Sequence, residues 1–224
     1  MDTWLSYSLQ DLLLFSPQVY FGLFAKANLA YWPWQLLLAP LALALWLLLR
    51  RSGRWPEVAV DLLLALAWTT SAYGFIGRFY LPIYPAAEWF RLAFIVEALL
   101  LMLALLQAAR SDRPEESLAG RHRCPGLLLY LLAILLYPLI APLLGRPWQG
   151  VELIGLAPDV TALATVGALL SWHLAGRWWL LLIPLLWLCV SALTCVALEY
   201  PPGVLPLALA SVALIARGLV VRRG

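Results

Sequence analysis

From residue 31 to residue 221 the chain is a succession of apolar stretches, separated by short polar breaks. A helix needs roughly 20 apolar residues to cross a hydrocarbon core of about 30 Å. Seven stretches meet that length: 31–50, 57–76, 86–108, 125–144, 158–174, 178–197 and 203–221. The fifth is the weakest, because Asp159 opens it and Thr161, Thr165 and Ser171 dilute it. Hydrocarbon offers the backbone no hydrogen-bonding partner, so spans of this length must be helices. The composition agrees. The chain is 64% hydrophobic and 12% charged, about half the charged share of a water-soluble domain. The expectation is an all-α integral membrane bundle of about seven transmembrane helices. Residues 31–224 would form a single transmembrane domain, and residues 1–30 an interfacial segment on the outer face.

Basic residues fall on alternate breaks. Arg50, Arg51 and Arg54 follow the first stretch, and Arg110, Arg113, Arg121 and Arg123 follow the third. Arg177 follows the fifth, and Arg217, Arg222 and Arg223 end the chain, giving 11 on one side. The other side has four: Lys26, Arg78, Arg91 and Arg146. Basic loops stay in the cytoplasm, so this alternation predicts the N-terminus outside and the C-terminus cytoplasmic, with an odd number of spans. Tryptophans gather at the span ends: Trp32, Trp34, Trp55, Trp89, Trp148, Trp172, Trp178 and Trp179. Such placement marks the membrane–water interface.

Residues 1–30 are too polar to cross. Asp2, Asp11 and Gln18 interrupt the apolar runs, and the start Met1-Asp2-Thr3-Trp4 lacks the basic region of a signal peptide. Ser16-Pro17 predicts a helix start, with serine as cap and proline in the first helical position. One or two short amphipathic helices lying at the outer interface are expected there.

The cysteines make no disulfide framework. Cys189 and Cys195 lie on one predicted helix, about 240° apart around it, and Cys124 stands at a cytoplasmic helix start. His122 and His173 lie in different settings, and no spacing suits zinc or haem. The chain also lacks a P-loop, a dinucleotide fingerprint, a nucleophile elbow and a His-Glu-x-x-His motif. No cofactor, metal, catalytic residue or nucleic-acid partner is therefore expected, and an intramembrane enzyme has the least support.

Ionisable groups inside a bilayer are costly and mark function by default. Glu97 falls near the middle of the third span, on the face of Phe90, Phe94, Leu101 and Ala104. It either carries a proton or cation in transit, or bonds Thr69, Thr70 or Tyr73 of a neighbouring helix. A closed protein seam around it would take from transport its best residue, and a hydrated cavity linking it to Asp159 or Glu199 would weaken the complex-subunit reading. Asp61, one turn inside the second span, is either an ion-path residue or the salt-bridge partner of a loop arginine; the salt bridge is the stronger reading. Glu88, Glu152, Asp159 and Glu199 gather at the outer span ends, with Ser191, Cys195 and Glu199 on one helix face at i, i+4 and i+8. They form either an acidic mouth for a cation or surface charge neutralised by Arg78, Arg91 and Arg146. Ala164, Gly167, Ala168, Ser171 and Ala175 form a small-residue stripe suited to close helix approach. Pro138 and Pro142 are expected to kink the fourth span and Pro184 the sixth.

Three stretches carry a family resemblance. Asp11 to Pro17, followed by Tyr20 and Trp32-Pro33, is one; Arg78-Phe79-Tyr80-Leu81-Pro82-Ile83 with Pro85-Ala86-Ala87 is the second. Gly155-Leu156-Ala157-Pro158 with Thr161 and Thr165, then Ile183-Pro184-Leu185-Leu186-Trp187, is the third. Together they resemble a family of uncharacterised bacterial integral membrane proteins, a domain of unknown function, over nearly the whole chain. Ile76-Gly77 stand where the family pattern has a histidine–aromatic pair, and Asp159 where it has a polar residue or cysteine, so no role of that histidine carries over. The resemblance implies a multi-pass protein of the bacterial inner (plasma) membrane and brings no activity with it.

Two functions remain in view. One is a small-solute or ion permease, with Glu97, Asp61, Glu199, Asp159 and Glu88 as path candidates. The other is a non-catalytic subunit or assembly factor of a membrane complex. Membrane lipids are expected partners in either case, with a second membrane protein or further copies of the chain as possible others.

Overall fold

The computed structural model describes residues 15–51, 53–110, 120–172 and 177–223, without side-chain detail at 120–122, 222 and 223. Expectations that rest on Asp2, Asp11, Arg113, His173 and Ala175, or on the side chains of Arg121, His122, Arg222 and Arg223, lie outside the described residues. Within them the chain is helical and forms no strand.

Helix α1, Pro17–Ala30, starts as its sequence dictates. Ser16 accepts a hydrogen bond from the Val19 N–H at 3.4 Å, and Pro17 takes the first helical position. One face, Tyr20, Leu23, Phe24, Ala27 and Asn28, is buried. A turn through Trp32 and Pro33 and a short 3-10 segment, Trp34–Leu37, lead into α2, Leu38–Leu49. The chain bends by 89° there. Helix α1 therefore lies across the end of the bundle, against the Trp148–Gly150 turn and residues 71–80.

Helix α3, Arg54–Thr70, continues as a wide π-type segment, Ser71–Tyr80, and α4 is Ala87–Arg110. Helix α5, Gly120–Leu131, widens at Leu132–Leu136 before α6, Tyr137–Leu143. Pro138 lies just past that widening and has no N–H to offer the ladder, a known cause of such a bulge. Helix α7 is Pro158–Leu170, α8 is Leu182–Ala197, and α9 is Leu205–Arg223. Pro184 does not act as an interior kink. It falls in the first turn of α8, where its missing N–H has no helical partner to lose.

Among the described residues five helical stretches are long and apolar enough to cross a membrane: Arg54–Tyr80, Ala87–Arg110, Arg123–Leu143, Trp178–Ala197 and Pro201–Val221. The α1–α2 pair reaches that length only as one sharply bent unit. Helix α7, with 13 residues, is about 20 Å long at 1.5 Å per residue, short of the hydrocarbon thickness.

Every residue of α7 is buried. Its hydroxyls, which make it look weak as a span, satisfy the interior. Thr161 and Thr165 donate to carbonyls one turn back at 2.8 Å each, and the Thr165 hydroxyl accepts from the Trp68 indole at 2.9 Å. Close approach to α5 depends on glycine at two positions. A Cβ at Gly167 would lie 2.6 Å from the Tyr130 nitrogen, and one at Gly126 would lie 2.3 Å from the Ser171 nitrogen. Both obstacles are backbone.

The contacts define two ends. At one, Arg123 reaches the Arg50 and Arg51 carbonyls, Arg54 the Ala109 carbonyl, and Arg217 the Trp172 carbonyl. At the other, Asn28 of α1 donates to Gln149 and Val151, Tyr31 donates to the Gly74 carbonyl at 3.0 Å, and Thr70 donates to Gly155 at 2.7 Å. Trp55 and Trp178 are exposed toward the arginine-rich end; Trp32, Trp34, Trp89 and Trp148 are exposed toward the other. Trp172 and Trp179 are only partly exposed. Between the two zones the exterior is leucine and valine. That apolar exterior, with helices of this length, makes the chain a membrane protein.

Candidate functional site

The sequence-derived candidates separate into three settings. Asp61 lies on the buried face of α3, and its Oδ2 accepts from Arg177, which also holds Glu57 one turn earlier. The expected pairing with a loop arginine is formed, at the arginine-rich end. Oδ1 of Asp61 has no hydrogen bond.

Glu97 is fully buried on α4, and neither carboxylate oxygen has a hydrogen-bond partner. The neighbours expected to bond it do not. Thr69 donates to Ala65, the Thr70 hydroxyl lies within hydrogen-bond distance of the Leu66, Ala67 and Gly155 carbonyls, and Tyr73 points outward with Arg91 over its ring. In this conformation Glu97 sits in a closed seam.

The third setting, beneath α1, is a buried cluster with three charged side chains. Asp159 stands in the first turn of α7, where backbone N–H groups favour an anion. Its Oδ1 accepts from the Trp187 indole at 2.7 Å and its Oδ2 from the Ser191 hydroxyl at 2.7 Å. Glu152, on the loop before α7, pairs with Arg146 at 2.7 Å through one oxygen, and the other oxygen has no partner. Arg146 lies over the Phe21 ring of α1 at 4.5 Å and the Tyr200 ring at 5.8 Å, and its Nε and Nη1 are also unbonded. The Tyr137 phenol faces both carboxylates. Burial pushes the Glu152 carboxyl up to about 7; Asp159 adds to the rise and Arg146 opposes it.

Glu88 and Glu199 stay at the surface. Glu88 forms a half-exposed pair with Arg91 at 2.6 Å, one helical turn away. Glu199 does not share the face of Ser191 and Cys195, because α8 ends at Ala197 and Glu199 adopts a left-handed φ of 54°. The Tyr200 N–H then closes on the Cys195 carbonyl at 2.9 Å, and Pro201-Pro202 cannot continue the helix.

An aromatic column joins the cluster to the middle of the bundle. Tyr80, Phe90, Trp187, Phe94 and Trp68 follow one another with ring centroids 6.3, 5.4, 4.9 and 4.3 Å apart. Phe94 is one turn before Glu97 on α4. Sequence reasoning missed Trp187 and Asn28 as functional neighbours. Trp187 was within reach, since it stands one turn before Ser191 on the stripe through Cys195. Asn28 gave no such signal, because both its partners are backbone carbonyls more than a hundred residues away.

Among the described residues no three His, Cys, Asp or Glu side chains come together as a metal site, and none of the three cysteines forms a disulfide. The chemistry on offer is that of single carboxylates: two open oxygens on Glu97 and one each on Asp61 and Glu152.

A bundle of apolar helices around a buried central helix, with isolated interior carboxylates, defines a polytopic helical membrane protein. The chain belongs to a family of unknown function (DUF6064), which matches residues 17–222. No curated protein matches it, and no solved structure does.

Proposed function

We propose that this chain is an ion permease of the bacterial inner membrane that exchanges a proton at Glu97. The observation that carries the reading is a fully buried carboxyl in the middle of α4 with both oxygens unbonded. Leaving a carboxylate so placed without donors or a counter-ion costs several kcal/mol, and a proton removes that cost with a single acceptor atom. A dehydrated metal ion would need some six oxygens. The seam around Glu97 is closed here, so exchange requires a second, more open conformation.

The reading includes seven crossings, with the N-terminus outside and the C-terminus cytoplasmic. In support, α2 and α7 run between the same two ends as the longer helices, and the arginines collect at one end. Helix α1 then lies on the outer face. The alternative, a non-catalytic subunit of a membrane complex, rests on short loops and a lack of catalytic motifs; the close helix approach that the α7 stripe invited is made by α5 of the same chain.

The test is proton flux into liposomes loaded with a pH-sensitive dye, under an imposed potassium diffusion potential. Wild type should acidify the lumen, and Glu97→Gln should abolish the flux with secondary structure and elution profile unchanged. Equal flux in wild type and Glu97→Gln sinks the proposal.

A further inference from the structure

The cluster beneath α1 has a charge imbalance that its own geometry does not resolve. Among the described residues Arg146 is the one cation of this cluster, and it is shared by two carboxylates, Glu152 and Asp159. Asp159 has both oxygens occupied by donors from α8. Glu152 has one oxygen in the Arg146 pair and one open, although the residue is only 6% exposed. The other titratable groups facing it are phenols and a thiol: Tyr137 on α6, Tyr20 on α1, Tyr200, and Cys195 on α8. Every one of them is a donor or a neutral group at neutral pH, so none supplies the missing positive charge.

We propose that Glu152, set against Arg146 and Asp159 under α1, is a second proton-binding site, distinct from Glu97 and serving the end of the bundle that α1 covers. The proton comes from water at that end and bonds the open Glu152 oxygen, turning carboxylate into carboxyl. With both carboxylates ionised the cluster of Arg146, Glu152 and Asp159 carries one net negative charge, and the proton on Glu152 brings it to none. The groups already bonded to these carboxylates are donors, the Trp187 indole and Ser191 hydroxyl on Asp159 and the Arg146 guanidinium on Glu152, so the cluster leaves few free oxygens for a metal ion.

Helix α1 is the cover of this site. Asn28 donates to the Gln149 and Val151 carbonyls at 2.6 and 2.7 Å, anchoring the helix to the loop that carries Glu152. Phe21 closes the other side, packed on Tyr200 at 4.5 Å and beneath the Arg146 guanidinium. The cover keeps water off the carboxyl, and that burial pushes its pKa up to about 7.

The site is tested by infrared spectroscopy of the whole protein in lipid nanodiscs, following the protonated-carboxyl band across pH in light and heavy water. Wild type should show a carboxyl that loses its proton near neutral pH. Glu152→Gln should lose that titrating band, and Glu97→Gln should keep it. A band that titrates unchanged when Glu152→Gln is added to Glu97→Gln overturns the proposal. Should Glu152→Gln fail to fold, Asn28→Ala decides, since it loosens the cover and leaves every carboxyl in place. Its titration should then shift to lower pH, toward the ordinary carboxylate range; an unshifted band overturns the proposal. The inference stands without the permease reading. Loss of flux in Glu97→Gln and loss of the band in Glu152→Gln are separate results, and either can fail alone.

Discussion

Asp61, Asp159 and Glu97 are all buried carboxylates, and each meets the interior differently. Asp61 has a counter-ion, Asp159 has an indole and a hydroxyl, and Glu97 has neither. The Asp61–Arg177 pair gives a direct stability prediction. Arg177→Met leaves Asp61 as an uncompensated buried charge and should lose about 3–5 kcal/mol. Adding Asp61→Leu should recover most of that loss. Unfolding in detergent micelles measures both, and an unchanged midpoint for Arg177→Met would refute the pairing as a stabilising element. Glu152 gives a pH prediction. Its folded carboxyl titrates at about 7, above the ordinary value of 4.5, so between those values the folded state holds a proton that the unfolded state has released. Stability should therefore fall as pH rises through that window and level off above it. Thermal midpoints in nanodiscs should follow this slope in wild type and lose it in Glu152→Gln.

Among the elements, α7 departs most from its reading in sequence. Its threonines and serine suggested a poor span, and they are interior hydrogen-bonding groups of a helix sheathed on every side. The stripe of small residues was legible, since spacing on one helix is enough to see it. Its partner was not, because Gly126 and Gly167 meet only when α5 and α7 are packed. Gly167→Ala places a methyl against the α5 backbone and should cost about 1–3 kcal/mol. Gly22→Ala is the control: a Cβ there meets nothing within 4 Å, and the change should be neutral or stabilise α1 by up to about 1 kcal/mol. Equal losses from both would show that the α5–α7 approach is not tight. Within the first predicted stretch, 31–50, hydropathy does not register the turn through Trp32 and Pro33, where the chain bends by 89° and sets α1 across the bundle.

For the whole molecule, the arginine alternation and the two tryptophan zones describe one axis with two chemically different ends. Cys124 is exposed at the arginine-rich end. In a variant with Cys189 and Cys195 changed to serine, an impermeant maleimide should label Cys124 in inside-out vesicles and leave intact cells unlabelled. The opposite pattern would reverse the proposed orientation. This two-ended layout also separates the carboxylates by role. Asp61 belongs to the arginine-rich end, Glu152 and Asp159 to the end that α1 covers, and the aromatic column runs from that covered end to Phe94, beside Glu97.

The sequence by itself determined that the chain is a bundle of apolar helices, which segments are helical, and which loops carry the basic residues. Those properties sum over neighbouring residues, and lipid imposes them on each segment separately. It also marked Glu97 and Asp61 as charges inside spans, because a carboxylate in an apolar run stands out locally, while it placed Asp159 at an outer span end. Only the tertiary structure decided which charge has a partner. Hydrogen bonds such as Trp187 to Asp159 and Asn28 to Gln149 join residues distant in the chain, and they depend on how the helices are rotated and how closely they approach. The site under α1 therefore appears only once the helix at the start of the described chain is laid across loops from its far half.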